Sequence, residues 1–152
     1  MLPTCVPSSS SDMDEASFPG PGFDAIHVGQ QLPPLELPAI TRTTLAVYAG
    51  ASGDHNPNHI DSDAARAAGH EDVFAHGMLV MAYLGRLLTN WVPQERIRKI
   101  DVRFMSVTHV RDCLVCTGEV IEKCDGNILV VHLKVHDQDG DVKVAGKAWL
   151  SM

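Results

Sequence analysis

Two stretches in the last third of the chain alternate apolar and polar side chains with the period of two that is typical of half-buried β-strands. They cover residues 99–104 and 129–136, and the dipeptides Asp125-Gly126 and Asp139-Gly140 on either side of the second stretch favour hairpin turns. One face of the first strand is formed by Ile100, Val102 and Phe104, and the other by Lys99, Asp101 and Arg103. The pattern predicts an antiparallel meander with one buried face.

An almost continuous apolar run covers Gly77 to Trp91. With almost no polar side chain before Arg86, a helix over this run is apolar all round and must be enclosed by the rest of the protein. The run is too short to cross a bilayer, which takes about 20 residues. A buried helix followed by an antiparallel meander predicts an α+β fold, in which a curved sheet wraps around one central helix.

Capping residues predict two shorter helices. Thr41 suits the N-cap of a helix that runs to about Ala49, and Asp61 or the serine after it suits the N-cap of a helix over residues 63–68, which ends before a glycine. Residues 30–37 contain two prolines and are at best an irregular edge strand.

Composition separates the first 22 residues from the rest of the 152-residue chain. A serine run, an acidic run and Pro-Gly repeats predict a disordered tail over residues 1–22, and residues 23–152 are expected to form a single domain. A formal net charge of -7 argues against nucleic acid as the main partner. The sequence has neither an apolar run of membrane-spanning length nor the pattern of a signal peptide, so we expect a cytoplasmic protein.

The four cysteines are too few and too clustered for a disulfide framework. Cys113 and Cys116 match half of a redox or zinc motif. In a strand, however, residues three apart point to opposite faces, and no second pair stands elsewhere to complete a zinc site. We predict no metal or redox site at this pair.

The segment between Tyr48 and Asp61 holds the most informative polar residues. Asp54 and His59 stand five positions apart on a loop that Pro57 keeps out of helical geometry. A carboxylate and an imidazole on one rigid loop can handle a water molecule by general acid–base chemistry. The loop alone also allows a structural interpretation, with Asp54 capping a turn and His59 buried as a structural histidine.

The order Gly53-Asp54-His55-Asn56-Pro57-Asn58-His59, with Tyr48 before it and Asp61 after it, closely resembles the signature of the MaoC-like hydratases. This family includes (R)-specific enoyl-CoA hydratases and 3-hydroxyacyl-thioester dehydratases. A second family element, Ala75-His76-Gly77-Met78-Leu79, follows at the expected spacing. The resemblance covers roughly residues 23–152. It implies the hotdog fold and a hydro-lyase that adds water reversibly, with syn geometry, to trans-2-enoyl-CoA or carrier-protein thioesters, giving (R)-3-hydroxyacyl thioesters.

The resemblance also implies roles for individual positions. Asp54 is expected to be the base that activates water, His59 its partner on that water, and the Gly77 N–H the donor to the thioester oxygen. Helix-start packing is the alternative for Gly77. Asn56, His76 and Met78 are candidates for contacting the substrate, although a structural role also suits Asn56 and His76.

No metal or redox cofactor is implied, because hydration involves no net electron transfer; coenzyme A enters as part of the substrate. His55 and His59 stand four apart and could bind zinc on a helix, but Pro57 argues against a helix there. The sequence departs from some family members at Gly85, where they carry a serine that helps to position the catalytic pair. This departure bears on the preference for the acyl chain.

Four basic residues stand close together in an acidic protein: Arg96, Arg98, Lys99 and Arg103. A solvated face is one interpretation. The other is a substrate-binding surface, in which the outward-facing Lys99 and Arg103 receive the phosphates of coenzyme A or the phosphopantetheine of a carrier protein.

Family members pair to extend the sheet, so we expect at least a homodimer, or a heterodimer, with each substrate tunnel lined by two subunits. Two other functions use the same fold: a hotdog acyl-CoA thioesterase, and a non-catalytic or half-active partner subunit of a hetero-oligomeric hydratase. The thioesterases do not use the Asp-x-Asn-Pro-x-His signature, and partner subunits tend to lose the Asp or the His, whereas this chain keeps both.

Overall fold

The computed structural model describes residues 20–152, which contain one antiparallel sheet of five strands. The strands lie side by side in the order β1-β3-β4-β5-β2. Their bounds are Leu35–Glu36 for β1, Ile97–Phe104 for β2, Val115–Cys124 for β3, Ile128–His136 for β4 and Val142–Ser151 for β5. The predicted meander is confirmed, and the two-residue β1 is the irregular edge strand expected from its prolines.

Both predicted hairpin turns join neighbouring strands. Gly126 and Asn127 turn the chain between β3 and β4 with φ of 73° and 57°, in the left-handed region that glycine and asparagine tolerate. Between β4 and β5, the carboxylate of Asp137 accepts hydrogen bonds from the backbone N–H groups of Asp139 and Asp141, at 2.9 Å each. Side-chain bonds of this kind fix a turn because they replace the lost ladder bonds.

Three α-helices cross the described part of the chain: α1 over Arg42–Ser52, α2 over Ser62–Ala67 and α3 over Gly77–Thr89. The hydroxyl of Thr41 accepts from the backbone N–H of Thr44 at 3.0 Å, and the carboxylate of Asp61 caps α2 in the same manner. The predicted N-caps are thus confirmed. Helix α1 continues beyond Ala49 as far as Ser52, because Gly53 is the first residue to adopt the left-handed conformation that ends a helix.

The central helix α3 is buried on one side only, which corrects the prediction that it is enclosed all round. Its apolar residues pack against strands β2, β3, β4 and β5, whereas Met78 is 53% exposed and Ala82 and Arg86 are also exposed. The buried residues are Leu79, Val80, Leu84, Leu87 and Leu88. One five-stranded sheet covers one flank of a helix, and the second flank is left to solvent.

Two further predictions differ from the structure in where an element ends or begins. Helix α3 ends at Thr89 rather than Trp91, since the N–H groups of Trp91 and Val92 both turn back to the carbonyl of Leu88. Cys113 precedes the first residue of β3, so the argument from strand alternation does not apply to the Cys113–Cys116 pair. Cys116 is buried in β3, and burial raises the pKa of its thiol to about 12.

The predicted tail, residues 1–22, lies outside the described residues except for residues 20–22, which have no regular structure. Among the described residues, no helix is long and apolar enough to cross a membrane. The cytoplasmic location stays a prediction.

Candidate active site

A short loop between α1 and α2 presents the predicted catalytic pair. Its turns are fixed by its own side chains, because the Asn56 N–H donates to Asp54 Oδ1 at 3.2 Å and the Asn58 N–H to Asn56 Oδ1 at 3.1 Å. Pro57 opens a single 3-10 turn over Pro57–His59. Asn56 therefore has a structural role in the loop. This geometry leaves the Asp54 carboxylate exposed and buries His59.

His59 is held in one orientation by a neighbouring segment. Its Nδ1 lies 2.8 Å from the carbonyl oxygen of Phe74, and the edge of the Phe74 ring packs against the imidazole with 4.8 Å between centroids. A carbonyl oxygen can only accept, so Nδ1 carries the proton. In the neutral ring, Nε2 is then left unprotonated and able to accept a hydrogen bond.

His76 completes the cluster. It is 1% exposed, its ring lies 4.0 Å from that of His59, and its Nε2 lies 3.1 Å from the backbone carbonyl of Asp54. Burial lowers the pKa of His76 below its ordinary value, and the hydrogen bond to the Asp54 carbonyl offsets only part of that effect. Its Nδ1 is buried and has no hydrogen-bond partner among residues 20–152.

The structure brings Asp54, His59 and His76 together, with one side-chain nitrogen or oxygen of each lying within 4.8 Å of the others. A carboxylate and an imidazole that approach this closely can hold one water molecule between them. The sequence predicts that Asp54 and His59 share one site, but for His76 it predicts only a contact with substrate or a structural role. The signal for His76 was its place directly before Gly77 in the second family element.

Such a group of three side chains could also ligate a metal ion, and it differs from the His55–His59 pair that the spacing suggested. His55 is exposed on the loop, and the buried partner of His59 is His76 instead. The absence of a metal requirement stays a prediction.

Gly77 is the first residue of α3, with His76 as its N-cap. The N–H groups of a first helical turn have no acceptor within the helix and lie at the positive end of its dipole. A Cβ on Gly77 would lie 3.1 Å from the ring of Phe104, so glycine permits this close approach of β2 to the helix start. A mainly apolar cavity of about 140 Å³ adjoins both residues. The adjacent Met78 projects to solvent.

The basic cluster stands apart from this site in the single chain. Ile100 and Val102 pack on the core, so the alternating Arg103 lies on the face of β2 that points away from α3. Lys99 pairs with the exposed Asp101 at 2.7 Å and lies 4.6 Å above the ring of Trp149. The structure does not bring Lys99 and Arg103 together with Asp54 and His59, and their role in binding substrate stays a prediction.

Gly85, where some family members carry a serine, lies on α3 beside open space. A Cβ built there meets no atom within 4 Å. Packing among the described residues therefore does not require a glycine here, and the missing side chain widens the groove between α3 and the β2 residues Ile97 and Ile100.

Comparisons with known proteins agree with this architecture. Residues 27–139 match the sequence profile of the MaoC-like domain. A UPF0336 protein of Streptomyces griseus is 33% identical over 134 residues, which cover 80% of this chain and 89% of that protein. The structure of the (R)-hydratase PhaJ1 from Pseudomonas aeruginosa superposes with a TM-score of 0.77 and 27% identity, over 85% of this chain and 83% of that one. A chain of the ChsH1–ChsH2 complex from Mycobacterium tuberculosis superposes with a TM-score of 0.75 and 28% identity, over 83% of this chain and 98% of that one.

A five-stranded antiparallel sheet packed on one helix, superposing on an (R)-hydratase, defines a hotdog-fold protein of the hydratase and dehydratase class. Within that class, the chain belongs to the MaoC-like domain family.

Proposed function

We propose that the protein catalyses the reversible hydration of trans-2-enoyl thioesters, of coenzyme A or a carrier protein, to (R)-3-hydroxyacyl thioesters. The observation that carries the proposal is the convergence of the Asp54 carboxylate and the His59 imidazole within 4.8 Å, in a chain that has Gly77 at the start of the adjoining helix. Membership of the MaoC-like family and the likeness to an (R)-hydratase support it.

In the proposed reaction, one water molecule donates its two O–H groups to the Asp54 carboxylate and to the unprotonated Nε2 of His59. Asp54 removes a proton as the water oxygen bonds to C3, and the electron pair of the C2–C3 double bond moves to C2 and the thioester carbonyl. The proton held by the pair is then delivered to C2. Because the hydroxyl and the proton come from one position beside the substrate, the addition is syn.

The Gly77 N–H is proposed to donate to the thioester oxygen as it gains charge in the enolate. Donors that are already oriented in this way lower a barrier by about 2.7–4 kcal/mol each. The single product has the oxidation level of substrate plus water, so the reaction balances without a redox cofactor, and the proposed steps use only side chains and one backbone N–H of this chain.

The exposed flank of α3 supports an assembly of at least two chains. Met78 is 53% exposed and Phe104 is 49% exposed, and both adjoin Gly77. The strand β2 is also an outer strand of the sheet, and no other strand of residues 20–152 pairs with its free edge. We propose that a second subunit covers this surface and lines the substrate tunnel, as a homodimer or as a heterodimer of the kind named in the ChsH1–ChsH2 complex.

That likeness to a chain of a two-protein complex also favours a second candidate, a partner subunit that supports the activity of a related chain. Crotonyl-CoA tests the candidates in one assay. The purified protein should form 3-hydroxybutyryl-CoA without releasing free coenzyme A. Release of coenzyme A would indicate a thioesterase, and no reaction by the chain alone would favour the partner subunit.

A further inference from the structure

A cluster of charged residues, most of them buried, surrounds Lys143 at the start of β5, and Lys143 lines the same cavity as Gly77. Lys143 is 4% exposed, and its Nζ donates to Asp141 at 2.8 Å and to the carbonyl of Val107 at 3.1 Å. It also forms ion pairs with Asp137 at 2.9 Å and with Asp112 at 3.4 Å. Burial acts to lower the pKa of Lys143, but the hydrogen bonds to Asp141 and Asp137 outweigh it. The net effect raises the pKa above its ordinary value, so the ammonium group stays charged. The loss of the ammonium group is costly, because it leaves the buried carboxylates of Asp112 and Asp137 without their partner.

The cluster anchors the connection between β2 and β3, residues 105–114. Lys143 holds it at Val107 and also accepts the Met105 N–H through its own carbonyl at 2.8 Å. Asp112 accepts the His109 N–H at 2.8 Å, and Asp141 accepts the Ser106 hydroxyl at 2.6 Å. The connection has no helix or strand of its own longer than an isolated bridge, so these bonds define its path.

The same connection supports the segment that orients the active site. The carbonyl of Thr108 accepts the Ala75 N–H at 2.8 Å, and His109 forms an isolated antiparallel bridge with Phe74. The Phe74 carbonyl is the acceptor that fixes His59, and Ala75 lies two residues before Gly77. A displacement of the connection would therefore be transmitted to both the imidazole and the helix start.

We propose that Lys143 is a positioning residue: through the connection of residues 105–114, its ammonium group sets the orientation of His59 and the placement of Gly77. The inference rests on the proposed function for its kinetic consequence, but not for its structural one. A misplacement of about 1 Å in groups that must align with a substrate lowers the rate by about 10²-fold. Substrate binding away from the reacting atoms is not expected to change.

The chain offers a matched control in Lys123. Like Lys143, it donates from Nζ to the backbone of a distant segment, but its acceptors are the carbonyls of Phe23 and Ile26, at 2.8 and 2.7 Å, so it anchors the segment before β1 instead. Lys143→Met and Lys123→Met should both lower Tm. Only Lys143→Met should lower kcat for crotonyl-CoA, by roughly 10- to 100-fold with KM little changed, and Lys143→Arg should recover part of the loss.

The decisive readout is the imidazole nitrogen NMR spectrum of His59, assigned by its loss in His59→Gln. The wild type and Lys123→Met should show Nδ1 protonated and Nε2 bare, whereas Lys143→Met should show a mixture of tautomers. An unchanged His59 signature in folded Lys143→Met, or an equal change in Lys123→Met, would overturn the inference. If Lys143→Met does not fold, Asp112→Ala is the second variant: it removes the anchor of His109 and one ion pair of Lys143 while keeping the Lys143 ammonium group, and it is expected to give the same change. An inactive wild type would refute the proposed function, and the NMR comparison would still decide the role of Lys143.

Discussion

Two regions of the domain present polar side chains, and the fold holds them to different degrees. One is the loop with Asp54 and His59, and the other is the outer strand β2 with Lys99 and Arg103. The ring of His59 is bonded to the backbone of Phe74, fifteen residues further along the chain, and is buried. Lys99 bonds to Asp101, two residues away, and both remain exposed.

The difference concerns orientation. A buried imidazole with one nitrogen committed to a carbonyl has a single tautomer and a single direction for the other nitrogen. An exposed ion pair between two flexible side chains is screened by water and salt and holds neither partner firmly. Reaction chemistry needs the first arrangement, whereas a diffuse attraction for a charged ligand can use the second.

The largest effect is expected at the catalytic pair. Asp54→Asn and His59→Ala should each lower kcat for crotonyl-CoA hydration by about 10²–10⁴-fold, the usual contribution of a general acid–base group. Asp54 is exposed, so Asp54→Asn should leave the thermal melting curve unchanged. Full activity in either variant would remove the proposed mechanism.

Two variants of Gly77 separate the contribution of its backbone N–H from the contribution of its missing side chain. Proline is tolerated at the first position of a helix, and the extended ψ of 129° at His76 suits a residue before proline. Gly77→Pro and Gly77→Ala both add a Cβ next to Phe104, but only proline removes the N–H. Gly77→Pro should lower kcat by about 10²–10³-fold, and Gly77→Ala by much less. Equal losses in steady-state kinetics would assign Gly77 to packing.

The basic cluster should give a smaller effect that is confined to binding. If Lys99 and Arg103 receive the phosphates of coenzyme A, the double substitution to Glu should raise KM for crotonyl-CoA and preserve kcat. KM for a short pantetheine thioester, which lacks the nucleotide phosphates, should hardly change and serves as the control. The difference should shrink as salt rises, because exposed charges are screened over about 8–10 Å. Equal changes for both substrates would make the cluster an ordinary solvated face.

No effect is expected from chelation. Prolonged treatment with EDTA should leave the rate of hydration unchanged, because the water is activated by a carboxylate and an imidazole in the proposed mechanism. Loss of activity that zinc restores would mean that Asp54, His59 and His76 act as metal ligands, and it would replace general base catalysis by activation of a metal-bound water.

The separation along the chain of the residues that interact also explains what the sequence could predict. Strand alternation, the N-caps at Thr41 and Asp61 and the spacing of Asp54 and His59 are local features, so their consequences follow from a few neighbouring residues. The stacking of His76 on His59 and the bond from His59 to Phe74 depend on how α2 returns the chain to the loop, which no local pattern describes. The apolar run of α3 predicts burial on every side, whereas the described residues bury one flank only, because a run of apolar residues does not specify what covers each face of a helix.

The stereochemistry of hydration in deuterium oxide tests the central claim most directly, namely that Asp54 and His59 act on one water beside the substrate. Crotonyl-CoA should give a single diastereomer of (R)-3-hydroxybutyryl-CoA, with one deuterium at C2 on the face that received the hydroxyl oxygen, as proton NMR of the product can establish. The anti diastereomer, or an equal mixture of the two at C2, would contradict the shared-water geometry.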